Sequence, residues 1–181
     1  LLEARRHNFL ASFAQIRDAS ALAWVDISTG DFSVSTLPLV LLGPELARLA
    51  PSEVLLSEKS FQDLETLIKE SGAAPTPISA SSFDSTSAEN RLLKTFKLAT
   101  LDSHGGFSRA ELSALGAIVD YLDITQKGSL PLLQPPKRHI SAKTMKIDAA
   151  TRRNLELTHA LSGTRNGSLL ATIDQTLTAA G

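Results

Sequence analysis

Three stretches of strand-like alternation lie close together near the start of the chain, and after them helical and strand-like patterns take turns, an order few folds can house. Over residues 7–15 the apolar side chains Phe9, Ala11 and Phe13 recur at every second position. Over residues 21–27, Leu22 and Trp24 alternate with Ala23 and Val25. Alternation of this kind suits half-buried strands. The turn formers Ser28, Thr29, Gly30 and Asp31 then lead to Phe32, Val34 and Thr36, a third strand joined to the second by a short hairpin loop. The chain is therefore expected to open as an antiparallel meander.

A short helix is expected from Gly43 and Pro44 through Leu46 and Leu49 to a stop at Pro51. Within residues 53–57, Val54, Leu55 and Leu56 form the continuous apolar run of a strand covered on both faces. Phe61, Leu64, Leu67 and Ile68 then repeat at helical spacing as far as Gly72. Residues 75–79 make a weaker strand, because two prolines remove ladder donors. Helices are expected over residues 87–97, with Ala88, Leu92, Leu93 and Phe96 inward, and over residues 109–123, where Leu112, Leu115, Ile118, Val119 and Leu122 form one stripe. Ser108 and Glu111 are spaced as a capping box for the second. Parallel strands need crossover connections, so this order implies an α/β fold, a mixed sheet with flanking helices in the RNase H-like arrangement.

Between residues 128 and 136 the composition shifts to Gly, Ser and three prolines, which favours an extended crossing. A boundary is placed there, dividing a domain over residues 1–130 from a short all-helical segment over residues 131–181. In the second part, an extended approach over residues 140–147 leads to Asp148 as N-cap. One helix is expected over residues 149–161, ended by Gly163, and another from near Gly167, still running at the last residue. The start at Leu1 and the close on TLTAAG, where Thr176 to Ala180 reads as the opening of an element, suggest a piece excised from a longer chain.

The bulk numbers narrow the functional classes. A chain of 181 residues, 43% apolar, can bury one good core and part of a second. Its formal charge of −1 gives no field strong enough to draw the whole molecule onto nucleic acid or an acidic membrane, so any DNA contact must be local. No apolar run approaches the roughly 18 residues of a membrane span and the start lacks signal-peptide features, so a cytoplasmic location and no membrane partner are expected. The absence of cysteine removes thiolate zinc sites and cysteine nucleophiles.

Few residue patterns point to catalysis. His7, His104, His139 and His159 have no metal-ligand spacing, Gly105 and Gly106 lack the rest of a phosphate loop, and no serine-nucleophile motif occurs. The enzymatic alternative is a metal-dependent nuclease, since an RNase H-like sheet can hold two divalent ions on carboxylates, and Asp26, Asp31, Glu53, Asp84 and Asp102 are its candidates. That chemistry wants an acid in the middle of the first strand, where residues 8–14 offer none. Asp31 instead suits capping its own turn. Lys137, Arg138, Lys143, Lys146, Arg152 and Arg153 form the one basic stretch, either a phosphate contact or a solvated or interdomain charge run. Arg152 and Arg153 fall in a first helical turn, unfavourable for the dipole, and are expected to answer acids on neighbouring structure.

Two motifs carry a family resemblance. WVDISTGDF, residues 24–32, resembles the hairpin of the MutS connector domain, and IDAATRRNLELT, residues 147–158, is similar to the opening helix of the MutS core domain. The likeness continues through SLLATIDQTLTAAG, residues 168–181, so that it covers nearly the whole chain. The resemblance implies an RNase H-like connector followed by the first strip of the helical core, from a DNA mismatch repair protein that binds mismatched DNA and hydrolyses ATP as a homodimer. The family's mismatch-reading motif lies upstream of this stretch and its Walker A loop far downstream. This stretch is thus expected to be no enzyme by itself and to hold no cofactor, ATP and Mg belonging to the parent. A connector links the mismatch reader to the core and offers a face to the partner MutL. Asn90 and Arg91 correspond to family contact positions on that face, where paired glutamines are common, and Lys94 shares it one turn on; plain exposed helix residues are the competing reading. Arg152, Arg153, Asn154 and Glu156 are assigned to contacts between domains.

Overall fold

The computed structural model describes residues 8–101, 106–126, 132–139 and 147–175. Strands β1 (Phe9–Ile16), β2 (Ala19–Asp26) and β3 (Phe32–Thr36) form the antiparallel meander. After a 3-10 turn, Leu39–Leu41, helix α1 (Leu42–Leu49) leads to β4 (Glu53–Ser57), helix α2 (Glu58–Glu70) and β5 (Ala74–Ile78). A second 3-10 turn, Ala80–Phe83, precedes α3 (Ser85–Phe96), which is followed by α4 (Arg109–Thr125). Strand β4 joins β1 in parallel and β5 joins β4 in parallel, while a two-residue strand, β6 (Lys137–Arg138), adds in parallel to β3. The resulting order is β5-β4-β1-β2-β3-β6; its first five strands form the mixed RNase H-like sheet expected from the sequence, and β6 is an addition that the sequence reading did not include.

The meander is not half-buried. Residues 10–14 of β1 and 20–26 of β2 are all buried, because helices cover both faces of the sheet. Alternation sorts side chains between two helical layers instead of between core and water. Phe13, Leu22 and Trp24 face Leu42 and Leu46 of α1 and Leu64 and Ile68 of α2. Ala14, Ala21 and Ala23 on the other face meet Leu92 of α3 and Leu115, Ile118 and Leu122 of α4. The sheet contributes Leu10, Val25, Phe32 and Val34 to this second layer beside the three alanines, and α4 packs over them, buried on nearly every side.

Local chemistry explains most boundaries. β5 tolerates its prolines because it is an edge: the Ala74 N–H donates to Ser52 O at 3.0 Å, which by period two turns the nitrogens of Pro75 and Pro77 away from β4. Helix α3 starts two residues earlier than expected, since Asp84 caps it, accepting the Ser87 N–H at 2.8 Å. The Ser108–Glu111 capping box forms as expected.

The C-terminal part departs further from expectation. Helix α5 (Ala149–Asn154) is capped by Asp148 but stops well short of residue 161, and α6 (Leu169–Ile173) ends at an extended Asp174 instead of running on. Short helices depend on a packed apolar face, and here Leu155 and Leu161 are 56% and 69% exposed. Glu156 takes φ +48°, its carboxylate accepts the Leu161 N–H at 2.6 Å, and its carbonyl accepts the Leu169 N–H at 2.9 Å, folding the chain back on itself. Much of the expected extended approach, residues 140–146, and the expected element over residues 176–180 lie outside the described residues, as does the first part of the 128–136 crossing. No helix among the described residues is long and apolar enough to cross a membrane.

Candidate functional site

Helix α3 buries Ala88 and Leu92 against α4 and turns Asn90 and Lys94 outward. The two helices cross where Gly116 meets Ala88, so closely that a Cβ on Gly116 would stand 2.2 Å from the Ala88 Cβ. Arg91 lies along this crossing. Its Nη1 donates to Gly116 O at 3.0 Å, its Nη2 pairs with Asp120 Oδ1 at 3.0 Å, and Asp120 Oδ2 accepts from the buried Ser82 hydroxyl at 2.6 Å. Arg91 therefore ties α3, α4 and the 3-10 turn before α3 together. Asn90, Arg91 and Lys94, with Thr95, Val119 and Asp123, line a groove of about 450 Å³ between the helices. The three residues singled out from the sequence thus come together, but with different roles: Asn90 and Lys94 are exposed on the rim, and Arg91 is committed to its neighbours.

With this geometry in view, a family model for MutS domain II matches residues 8–134, the span of strands β1 to β5 and helices α1 to α4. The chain belongs to the MutS domain II family. Over its whole length it is 61% identical to the DNA mismatch repair proteins MutS of Roseobacter denitrificans and of Cereibacter sphaeroides, and 58% identical to that of Ruegeria pomeroyi. It covers 100% of itself in each comparison but only 20–21% of those relatives, so it spans about a fifth of the length of the curated proteins it matches.

In this MutS domain II the candidate carboxylates go to separate tasks. Asp26, 2% exposed, accepts the Ser28 N–H at 2.9 Å and so organises the hairpin turn, a job expected of Asp31. Asp31 is the more exposed of the two and faces Lys137 Nζ at 4.0 Å. Glu53 accepts from Thr76 Oγ1 at 2.5 Å and from the Tyr121 hydroxyl at 2.9 Å; burial and then the Glu53 hydrogen bond push the tyrosine's ionisation up. Asp84 is the α3 cap, and the hydrogen bond from the Ser87 N–H holds its carboxyl below the usual range. Asp102, His7, His104, Gly105, Lys143 and Lys146 lie outside the described residues. Among those described, no three His, Asp or Glu side chains gather as ion ligands, and none of the comparisons points to a nuclease.

The basic stretch divides in two. Arg138 forms a bidentate pair with Glu111, so this cation is structural. Arg152 and Arg153 line a cleft of about 360 Å³ with Ala47, Ser71, His159 and Leu161. Among the described residues neither forms an ion pair with an acid, and Arg152 Nε is buried without a hydrogen-bond partner; because α5 stops at Asn154, the two arginines stand in its last turn, where the helix dipole favours a cation, and not in the first turn expected for them. Asn154 closes α5, exposed, and Glu156 is used in the reversal of the chain.

Sequence reasoning overlooked Gly116, Asp120, Ser82 and the Arg138–Glu111 pair. One signal was available: Gly116 stands within the helix stripe where a glycine is costly, which marks a close approach. The side-chain pairs had none, since their partners are 25 to 38 residues apart.

Proposed function

We propose that this MutS domain II acts as the connector of a mismatch repair protein, a docking and coupling body that receives the partner MutL on the α3–α4 groove. The observation that carries the reading is the division of labour on α3. Arg91 is held by Gly116 and Asp120, so the helix presents Asn90 and Lys94 on a braced surface with Asp123 opposite. Rigid presentation of a few polar groups beside a groove reduces what association must spend on ordering. Residues 1–130 form the connector in this reading, and residues 131–181 begin the helical core. Arg152, Arg153, Asn154 and Glu156 then meet other domains of the parent, which supply the acids that the described residues do not. Mismatched DNA, ATP with Mg, and a second parent subunit act elsewhere on that polypeptide, in the cytoplasm.

Titrating MutL into the purified chain, wild type and Asn90→Trp/Lys94→Glu, tests the assignment. The double variant keeps Arg91 and its clamp. At least about tenfold weaker binding, a loss near 1.4 kcal/mol, is expected with an unchanged unfolding midpoint. Equal affinity in a folded double variant overturns the assignment of this face.

A further inference from the structure

Residues 132–139 do not hang beside the sheet as a slack tether. The Gln134 N–H donates to Gly30 O at 2.9 Å, Lys137 and Arg138 pair with Ser33 and Val34 of β3, and the His139 N–H donates to Val34 O at 2.8 Å. Gly30, at φ +77°, permits this closeness, since a Cβ there would lie 1.9 Å from Leu132 O. The imidazole of His139 sets its edge against Trp24 with ring centres 5.6 Å apart. Pro135 and Pro136 precede β6, so this stretch is stiff.

Backbone pairing over two residues is a weak hold, and the side chain of Arg138 supplies the strong one. Its Nε donates to Glu111 Oε1 and its Nη2 to Glu111 Oε2, both at 2.8 Å, while Nη2 also reaches Gly106 O at 2.6 Å. The guanidinium sits 5.4 Å from the Phe107 ring centre. Glu111 is only 1% exposed and serves three elements at once. It accepts the Ser108 N–H at 2.7 Å as half of the α4 capping box, and the Thr36 hydroxyl of β3 at 3.2 Å. A bidentate pair on a buried carboxylate is a strong hold, because opening it leaves a buried charge without its cation.

We infer that residues 132–139 are a latched strap, which Arg138 locks onto Glu111, so that a pull on the strap from its C-terminal end, at His139, acts directly on the first turn of α4. When the lock opens, the strap leaves β3 as a unit and the α4 cap loosens with it. The lock stands independently of which molecule docks on α3; only transmission to that surface rests on the connector reading.

Native-state hydrogen exchange on the full chain tests the lock, comparing wild type with Arg138→Gln, Arg138→Lys, Glu111→Gln and the Arg138→Gln/Glu111→Gln pair. In Arg138→Gln, protection at the Gln134 and His139 amides and in the first turn of α4 should fall by about tenfold or more, while the β1–β2 amides keep theirs. Arg138→Lys, which keeps the charge without the fork, should fall between. The paired variant should lose little more than Arg138→Gln alone. Unchanged strap amides in Arg138→Gln overturn the inference, and so does an equal loss across strap and sheet, which would mark global destabilisation. Additive losses in the paired variant overturn it as well.

Discussion

Gly116→Ala sets two opposing effects against each other at the α3–α4 crossing. Replacing a glycine inside a helix by alanine favours the helix by about 1 kcal/mol. Against this, the new methyl would begin 2.2 Å from the Ala88 Cβ and 2.8 Å from the Ala88 Cα, where ordinary contact starts at 3.4 Å, so the helices must part by more than 1 Å. Neither obstacle is the flexible end of a side chain. Overpacking of this kind costs about 3 kcal/mol, and separation also stretches the Arg91 bonds to Gly116 O and Asp120. The clash wins, with a net loss of about 2 kcal/mol, or a fall in Tm of roughly 4–8 °C for a domain of this size. Urea and thermal unfolding followed by far-UV circular dichroism and by the fluorescence of Trp24 read the effect. Adding Ala88→Gly removes the methyl being struck and should return most of the lost stability, less the cost of a new helical glycine. A Gly116→Ala protein as stable as wild type, or more so, would show that the crossing yields freely and would refute the clash.

Glu111 makes a pH prediction. Burial pushes its carboxyl up, but the hydrogen bonds and charge of Arg138, with the Ser108 N–H, outweigh it and hold the group below its ordinary value of 4.5. Its stabilisation is thus complete above that value and disappears as pH falls through the lower folded-state value. Glu111→Gln should cost about 1–3 kcal/mol at neutral pH and flatten the acid limb of the stability profile, measured as urea midpoints between pH 3 and 7. Asp84 and Asp148, held low by hydrogen bonds from Ser87 and Thr151, act on the same limb in both proteins and cancel in the comparison. Residues 147–175, with Leu155, Leu161, Leu169 and Ile173 exposed, should exchange amide hydrogens faster than β1 and β2, and matching protection in both would contradict the thin packing seen there.

Much of the architecture was legible because its signals are local. The capping box at Ser108 and Glu111, the apolar run Val54 to Leu56 and the helical repeat from Phe61 to Ile68 each require only neighbours within a few residues. On α3, Asn90 and Arg91 were singled out by the family resemblance and Lys94 by helical spacing one turn on, and the three line one groove. What Arg91 does was not legible, because exposure and partnership depend on Gly116 and Asp120 in another helix. Helix α5 shows the opposite failure. Its apolar spacing is helical up to residue 161, yet spacing stabilises a helix only where something covers the stripe, and Leu155 and Leu161 face outward.

Sequence alone determined the succession of strands and helices, the capping residues and the family, since each is written in residues near one another or in long ordered motifs. Tertiary structure decided that both faces of the meander are covered, that Asp26 and not Asp31 organises the hairpin, and that Arg138 finds Glu111. Periodicity says which side of an element is apolar, but not what lies across from it. Contacts such as Thr36 with Glu111, 75 residues apart, exist only once the sheet has brought distant parts of the chain together.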